Sequence, residues 1–453
     1  MTHISNNRPR IAVIGGGIAG LTVAASLLRA GIECTVYEQA TVFADAGAGI
    51  QIAPNSSRIL HRLGLAGALE RRATRAHAIE TRRWQDGAPL ARTELGESCV
   101  ERYGAPYYLI QRADLHRSLL ELLPPGVVRH SSACTAVEER PDGVTLRFAD
   151  GTSEEAGVVV GADGIHSTLR NTLVGDRPRF SGHTVHRGLV AADRLPSLFE
   201  VPKVLFWLGP NGHVTSYPIA QHGLVHFSAV ITSPEWDPEV WSAPSRPEEA
   251  AAAFAGWNTD VAELIGAAET AHHWALFDRD CVGGWSTGRM TLAGDAAHPM
   301  VPYLSQGANQ AIEDAWVLAD LLSAADPDPG PALRRYEELR LPRVREVHRR
   351  SRERGHEFHL PDGPQQRLRD RSMPTAERLD DYDVYKRQNL RNEGERPRWT
   401  RAPSMHICAV WASGVRGEPT PGRSVCSRNV ISCRCRSRTC TSGRGNPPHS
   451  APR

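Results

Sequence analysis

Three glycines near the start of the chain have the spacing of a phosphate-binding turn. Gly15, Gly17 and Gly20 follow the apolar run 11–14 and precede a second apolar stretch with helical spacing. In such a turn one glycine makes the tight bend, one lets the backbone approach a pyrophosphate, and one allows close helix packing. Because a helix N-terminus also attracts negative charge, the pattern predicts a dinucleotide site.

Three acidic residues that follow later apolar runs have the chemistry to complete this site. Glu38 is placed to accept hydrogen bonds from ribose hydroxyls, and Asp295 from a polyol. Asp163 follows another apolar run, and a helical pattern opens at Gly307, where backbone N–H groups can face an electron-rich ring. Each acid alone also fits an ordinary strand end, so the prediction depends on their order and separation. The residues by themselves leave FAD, NAD and NADP open.

Together these motifs resemble the class A, single-component FAD-dependent aromatic hydroxylases. This group contains salicylate hydroxylase, 3-hydroxybenzoate 6-hydroxylase and 6-hydroxynicotinate 3-monooxygenase. The resemblance covers roughly residues 8–382. Besides the glycine turn, the segments that carry it are 47–55, 111–115, 161–164, 294–314 and, more weakly, 359–363.

The resemblance implies a bound FAD, with NADH or NADPH binding transiently and O2 as co-substrate. Glu38 would bind the adenosine ribose, Arg112 the FAD backbone, and Asp295 the ribityl chain, while residues 307–309 would face the pyrimidine edge of the flavin. The cofactor-binding residues implied in this way are Gly15, Gly17, Gly20, Glu38, Gln39, Gly49, Ile50, Arg112, Asp163, Asp295, Pro302, Gly307, Ala308 and Asn309.

Short alternating runs between residues 183 and 232 predict a β-sheet, which the resemblance places over the flavin as a wall of the substrate pocket. His213 and Tyr217 lie four residues apart, so on one strand they point to the same face. The resemblance makes them the catalytic pair, with His213 deprotonating or hydrogen-bonding a phenol. Gln51 and Tyr303 either hydrogen-bond a substrate hydroxyl or carboxylate or pack under the flavin.

Departures from the relatives leave the substrate open. The 6-hydroxynicotinate enzyme has histidines at the positions of Gln51 and Tyr303, and the 3-hydroxybenzoate enzyme has a glutamine at the position of Pro302. The sequence therefore predicts that the substrate is a phenol or an aromatic acid, but it does not identify the ring.

The predicted fold is α/β, with a Rossmann-like FAD-binding domain of the glutathione-reductase type, an interleaved β-sheet substrate domain, and C-terminal helices. The expected boundaries are 8–75, 105–180 and 285–325 for the FAD-binding domain, 76–104 and 181–284 for the substrate domain, and 326–382 for the helices. The arginines around Arg343 in the last region are interpreted as a solvated face.

We predict an FAD-dependent monooxygenase that hydroxylates a phenolic or aromatic-acid substrate with NAD(P)H and O2 through a C4a-hydroperoxyflavin. In this interpretation the protein excludes water and positions the ring, while the flavin carries the oxygen chemistry. Three alternatives remain: a flavin oxidase or dehydrogenase that needs no NAD(P)H, a tailoring hydroxylase of a larger aromatic natural product, and an FAD-binding or nucleotide-sensing module without turnover.

Composition favours a globular, cytoplasmic protein with no nucleic-acid or membrane partner, as a monomer or homodimer. Of 453 residues, 40% are apolar and 23% charged, and no run approaches the roughly 20 apolar residues of a membrane-spanning helix. Residues 1–388 hold seven more acids than bases, which argues against nucleic acid. Dispersed cysteines such as Cys34 predict buried thiols and no metal site.

The last segment, residues 383–453, differs from the rest of the chain. Residues 383–388 read DVYKRQ, the translation of a transposase-end adapter used in sequencing libraries. Beyond them the chain has many arginines, no lysine and no apolar periodicity, so we interpret it as a disordered or artefactual tail. The functional alternative is a basic tail for nucleic acid or anionic lipid.

Overall fold

A computed structural model describes most of the chain up to residue 373. The described residues are 9–43, 48–195, 200–233, 236, 242–245, 247–268, 271–325 and 328–373. Contacts between Cα atoms divide the chain into Met1–Arg401 and Ala402–Arg453, and every described residue lies in the first unit. The predicted tail at 383–453 lies outside the described residues.

The strands and helices are numbered in chain order. The strands are β1 (Ile11–Ile14), β2 (Cys34–Tyr37), β3 (Gly49–Ile52), β4 (Ala73–Arg75), β5 (Ala78–Arg83), β6 (Pro89–Glu94), β7 (Tyr108–Gln111), β8 (Val128–Arg129), β9 (Cys134–Glu139), β10 (Val144–Phe148), β11 (Ser153–Ala156), β12 (Val158–Gly161), β13 (Arg179–Ala191), β14 (Lys203–Gly209), β15 (Gly212–Ile219), β16 (Leu224–Thr232), β17 (Ser242–Ser245), β18 (Ala271–Asp278) and β19 (Met290–Leu292). The helices are α1 (Ile18–Arg29), α2 (Pro54–Arg62), α3 (Ala66–Arg72), α4 (Gly96–Tyr103), α5 (Arg112–Leu120), α6 (Thr168–Leu173), α7 (Pro247–Ala253), α8 (Thr259–Gly266), α9 (Gly307–Ser323), α10 (Gly330–Phe358) and α11 (Pro364–Ser372). Short 3-10 turns lie at Ala192–Arg194, Ala220–His222, Gly294–Ala296 and Pro302–Leu304.

A five-stranded parallel sheet, in the order β19-β12-β1-β2-β8, organises the cofactor side of the molecule. Strands β1, β2, β12 and β19 are buried along their whole length and mostly apolar, as expected for a parallel sheet covered on both faces. Because these four strands run in one direction, their carboxyl ends meet at one edge. The residues that follow them, including Glu38, Asp163 and Asp295, are therefore brought together there.

An eight-stranded sheet, in the order β17-β18-β13-β16-β15-β14-β5-β6, forms the second layer. The four strands predicted between residues 183 and 232 are β13, β14, β15 and β16, so this prediction is confirmed. All pairs except β14 with β5 are antiparallel. The chain enters this sheet at β5 and again at β13.

Two smaller sheets and several helices complete the fold. Strands β3, β7 and β4 form one three-stranded sheet, and β11, β10 and β9 form another. Helix α9 packs on α1 and on the long helix α10 in the core of the cofactor side. The predicted α/β fold with a parallel sheet is thus confirmed. Among the described residues, no helix is long and apolar enough to cross a membrane.

Candidate active site

A cleft opens where strands β1, β2, β12 and β19 end. Nine of the predicted cofactor residues line it, namely Gly15, Gly17, Glu38, Gln39, Arg112, Asp163, Asp295, Gly307 and Ala308. Parallel strands deliver these residues to one edge although they are far apart in sequence. Such an edge is where open α/β sheets bind their ligands.

A glycine is present at each of the three motif positions for a different structural reason. Gly15 has a φ of +101°, and a Cβ there would lie 2.4 Å from the Ala162 carbonyl oxygen. A Cβ on Gly20 would lie 1.9 Å from the Gly15 carbonyl oxygen, so the first turn of α1 packs on this bend. At Gly17 a Cβ would meet no atom of the described residues within 4 Å. Gly17 therefore leaves open space at the helix N-terminus, where a phosphate can approach.

Backbone hydrogen bonds hold the Glu38 carboxylate at the cleft. Its Oε2 accepts from the Gly16 N–H at 2.6 Å, and its Oε1 accepts from the Ala40 N–H at 2.8 Å. Carboxylate oxygens have further lone pairs beyond these two bonds, so Glu38 can still accept from ribose hydroxyls.

Two aspartates in the cleft are strong candidates for ligand contact. The Asp163 Oδ2 accepts from the Thr168 N–H at 2.8 Å, while its Oδ1 is buried without a hydrogen-bond partner among the described residues. Burial raises the pKa of Asp163, and it also raises the pKa of Asp295. Buried polar atoms are rarely left unpaired. Together with the open space at Gly17, the unpaired Asp163 oxygen fits a dinucleotide.

Five predicted cofactor residues do not line the described cleft. These residues are Gly20, Gly49, Ile50, Pro302 and Asn309. The buried Asn309 side chain accepts from the Ala53 N–H at 2.9 Å and donates to the Gln51 carbonyl oxygen at 3.0 Å. The side chain therefore holds the β3 segment against the start of α9, and the predicted flavin contact of Asn309 is left to its backbone. Pro302 opens the turn that carries Tyr303.

A buried ionic network fixes the turn that carries Asp295. The Asp314 carboxylate accepts from His298 Nε2 and Arg340 Nε, both at 2.6 Å, and from the Gly294 N–H at 2.9 Å. Burial alone raises the pKa of Asp314, but His298 and Arg340 outweigh it and hold that pKa at about 2. Asp314 is therefore ionised and anchors α9 to the turn.

Arg343 does not lie on a solvated face, so that expectation is wrong. Its Nε donates to Glu313 Oε2 at 2.5 Å, and Arg340 Nη1 donates to the same oxygen at 2.7 Å. Glu313 lies on α9, so the pairing crosses between helices and depends on tertiary contact. By contrast, Arg349 and Arg350 pair with Glu346 on the outer side of α10.

On the large sheet, β15 places His213 and Tyr217 on one face, and His213 is paired with a residue from the C-terminal region. His213 Nδ1 lies 2.8 Å from His359 Nε2, which follows the end of α10. Burial, and to a lesser extent His183, lowers the pKa of His213 to about 3, and burial lowers the pKa of His359 to about 2. Both imidazoles are therefore neutral at physiological pH.

Aromatic side chains surround this histidine pair and leave three polar atoms without a hydrogen-bond partner. The Tyr303 ring centroid lies 5.5 Å from that of His213, and the His183 and His359 centroids are 4.7 Å apart. Tyr303 Oη, His183 Nδ1 and His359 Nδ1 are buried and unpaired within the described part of the chain. We call His183, His213, Tyr303, Phe358 and His359 the histidine cluster. Its chemistry fits an aromatic ligand with polar substituents.

Gln51 and Tyr217 lie toward the other end of the β15 face. The Gln51 Oε1 accepts from the Tyr107 hydroxyl at 2.6 Å. A Cβ on Gly49 would lie 2.8 Å from the Tyr217 hydroxyl oxygen, so β3 passes close to this tyrosine. Burial raises the pKa of Tyr217, which therefore keeps its proton. Gln51 and Tyr303 thus lie in different places, with Tyr303 in the histidine cluster and Gln51 beside Tyr107.

Comparison with known proteins identifies the family of this chain. Residues 8–351 match the family model described as FAD binding domain. The chain belongs to this FAD-binding family. Its relatives make it an FAD-dependent aromatic monooxygenase, as predicted, and its cofactor is FAD.

Three similar proteins each match this chain over at least 90% of their own length. The chain is 97% identical over 382 residues to the 3-amino-4-hydroxybenzoate 2-monooxygenase PtmB3 of Streptomyces platensis, covering 84% of this chain and 96% of that protein. It is 38% identical over 345 residues to a 6-hydroxynicotinate 3-monooxygenase of Bordetella bronchiseptica, with coverage of 76% and 90%. A salicylate hydroxylase in complex with its substrate has a TM-score of 0.71 and 29% identity, covering 81% of this chain and 93% of that one.

The sequence did not reveal two residues that the structure brings to this monooxygenase's candidate site. His183 and His359 join His213 from distant parts of the chain. The resemblance at 359–363 was a signal for His359, although it assigned no contact. No periodicity in the sequence could pair a residue of β13 with one that follows α10.

Proposed function

We propose that this enzyme hydroxylates 3-amino-4-hydroxybenzoate at C2, with O2 and NAD(P)H as co-substrates and water and NAD(P)+ as co-products. The observation that carries this proposal is the 97% identity over 382 residues to a protein named for that reaction. A single ring with amino, hydroxyl and carboxyl groups also suits the histidine cluster, in which three polar atoms have no partner among the described residues. The carboxyl group is retained in this reaction.

In this proposal, the predicted cofactor residues that line the cleft bind particular parts of FAD. Reduced FAD supplies the activated oxygen atom when it is bound. Gly15 and Gly17 receive the pyrophosphate, Glu38 the ribose and Asp295 the ribityl hydroxyls. Backbone groups at the start of α9 face the flavin edge.

The position of the new hydroxyl changes the task expected of His213. C2 of the ring is adjacent to the amino-bearing C3 and lies meta to the hydroxyl on C4. A hydroxyl or phenolate activates its ortho and para carbons, whereas an amine lone pair activates C2. We therefore assign His213 to the amine, in place of the predicted phenol deprotonation.

A neutral His213 suits this task. Its Nδ1 is engaged by His359, so its other nitrogen is the one available to a substrate. Because the His213 pKa is lowered to about 3, this nitrogen accepts a hydrogen bond from an amine N–H without becoming charged. The amine stays neutral, its lone pair can enter the ring, and C2 gains nucleophilicity.

We further propose that the enzyme works in the cytoplasm as a monomer or homodimer, without nucleic acid. Cys34, Cys99, Cys134 and Cys281 are free thiols in the described part of the chain, which fits a reducing compartment. We also propose that the domains have the boundaries given above and that residues 383–453 form a tail outside the enzyme.

The test uses the FAD-loaded full chain with 3-amino-4-hydroxybenzoate and, in turn, NADH and NADPH. We expect one ring oxygen from 18O2 in 3-amino-2,4-dihydroxybenzoate for each reduced nicotinamide consumed, with little peroxide. Among analogues, 3-aminobenzoate should be hydroxylated, whereas 4-hydroxybenzoate should stimulate peroxide formation only. Faster coupled turnover of salicylate, 3-hydroxybenzoate or 6-hydroxynicotinate would contradict the proposal, and anaerobic flavin bleaching by substrate alone would favour a dehydrogenase.

A further inference from the structure

Arg187 is a half-buried cation with no acidic partner among the described residues. It lies on β13, and no described carboxylate lies within 4.0 Å of its guanidinium. The guanidinium carbon lies 5.5 Å from the centroid of the Trp274 ring. Burial lowers the pKa of Arg187. Arginine is seldom withdrawn from water without a counter-charge, because desolvation of the guanidinium is costly.

Strand pairing places Arg187 on the face of the eight-stranded sheet that is predicted to form a wall of the substrate pocket. Arg187 pairs in register with Ser228 of β16, which pairs in turn with Thr215 of β15. Tyr217 lies two residues beyond Thr215, on the same face of β15. The Arg187 charge also adds to burial in lowering the pKa of His226, which pairs with Tyr217. Arg187 and Tyr217 therefore lie in the same poorly solvated region of the pocket wall.

The phosphates of FAD do not account for Arg187. They are expected at the glycine turn, where Gly15, Gly17 and Arg112 line the cleft, and Arg187 does not line that cleft. Arg112 also disfavours the charged form of Arg187, since the two cations repel each other. An anion other than the FAD phosphates, bound near this wall of the substrate pocket, would relieve the repulsion and supply a counter-charge for Arg187.

We propose that Arg187 binds the carboxylate of the aromatic acid and makes the enzyme selective for acids over uncharged analogues. This inference rests on the proposed function, whose substrate carries one carboxylate. The planar guanidinium, held over Trp274, can offer two parallel N–H donors to the two carboxylate oxygens. With the carboxylate at Arg187 and the amine at His213, the ring is held at two substituents that flank C2.

The test compares Arg187→Gln and Arg187→Lys with Arg179→Gln, all on β13. Arg179 is a matched control because its side chain is 60% exposed and lies 3.6 Å from Asp278. Each FAD-loaded variant is titrated with 3-amino-4-hydroxybenzoate and with 3-amino-4-hydroxybenzamide, following the flavin spectrum, and kcat/KM is measured for both. Arg187→Gln should weaken binding of the acid roughly 10- to 100-fold and leave the amide within about threefold. Arg187→Lys should recover part of the loss, and Arg179→Gln should match the wild type.

Other outcomes would overturn the inference. An equal loss for acid and amide would mean that Arg187 supports the fold, and loss of FAD with unchanged acid preference would make it a flavin residue. If the wild type does not hydroxylate 3-amino-4-hydroxybenzoate, the proposed function fails, but titrations with salicylate and salicylamide still decide the role of Arg187. A wild type that binds amides as tightly as acids would also overturn it.

Discussion

His213 shows how burial changes the chemistry of a single residue. A histidine near its ordinary pKa would act as a base around neutral pH, but burial lowers the pKa of His213 to about 3. Its partner His359 has a pKa lowered to about 2. The pair therefore acts through hydrogen bonds between neutral rings, and this property leads to a pH prediction.

We expect kcat/KM for 3-amino-4-hydroxybenzoate to show no acid limb near pH 6.5. A lowered pKa means that the neutral form of His213 is present above that pKa and is lost only as the pH falls toward 3. The measurement is a profile from pH 5 to pH 8.5 with the FAD-loaded enzyme. A limb near pH 6.5 that disappears in His213→Asn would contradict this assignment.

The same pair predicts a difference between two substitutions of His359. His359→Leu leaves His213 Nδ1 buried without a partner, and we expect kcat/KM to fall roughly 10- to 100-fold. His359→Gln keeps a hydrogen-bonding side chain and should lose only a few-fold. Equal effects of the two substitutions would show that the hydrogen bond is not what matters. His272→Leu on β18, where the side chain is exposed, is the control.

At the scale of elements, the turn between β1 and α1 separates ligand contact from folding. Gly17→Ala adds a Cβ to open space, so the chain should fold with unchanged stability but retain FAD at least 10-fold more weakly, because the methyl group blocks the phosphate. Gly20→Ala places a Cβ 1.9 Å from the Gly15 carbonyl oxygen and should lower stability itself. Flavin content and urea unfolding of the apoproteins distinguish these effects. The reverse pattern would rule out the pyrophosphate at this turn.

Helix α10 controls the histidine cluster through a glycine that has no room for a side chain. A Cβ on Gly355 would lie 2.3 Å from the Tyr303 ring. Gly355→Ala should therefore displace Tyr303 and lower kcat/KM about 10-fold or more, with normal FAD content. Gly266→Ala, at the end of α8, is the matched control because a Cβ there meets no atom within 4 Å. Unchanged kinetics in Gly355→Ala would show that Tyr303 does not shape the substrate pocket.

At the scale of the whole molecule, Arg340 joins the C-terminal helix to the cofactor side. Its buried guanidinium binds Asp314 and Glu313, which are also buried. Arg340→Met leaves both carboxylates with fewer cationic partners, and we expect the free energy of unfolding to fall by about 3–5 kcal/mol. Arg335→Ala, which removes an exposed pair with Glu338, should change it by less than about 1 kcal/mol. Urea unfolding of the FAD-loaded proteins measures both, and similar values for the two would refute this role.

The sequence by itself determined that the glycine turn binds a dinucleotide, and it determined the order of the elements. Gly15, Gly17 and Gly20 could be interpreted from short-range spacing, because a bend, a phosphate approach and a helix contact each constrain nearby residues. The alternating runs of β13 to β16 were predicted for the same reason, since side-chain period is a local property of a strand.

Only the tertiary structure decided which polar groups become partners. His359 comes to His213 because α10 ends beside β15, and Arg343 comes to Glu313 because α10 packs on α9. Local patterns carry no information about such contacts between distant elements. Burial follows from the same packing, so the neutral state of His213 and the burial of Arg187 without an acidic partner in the described part of the chain could be read only from the fold.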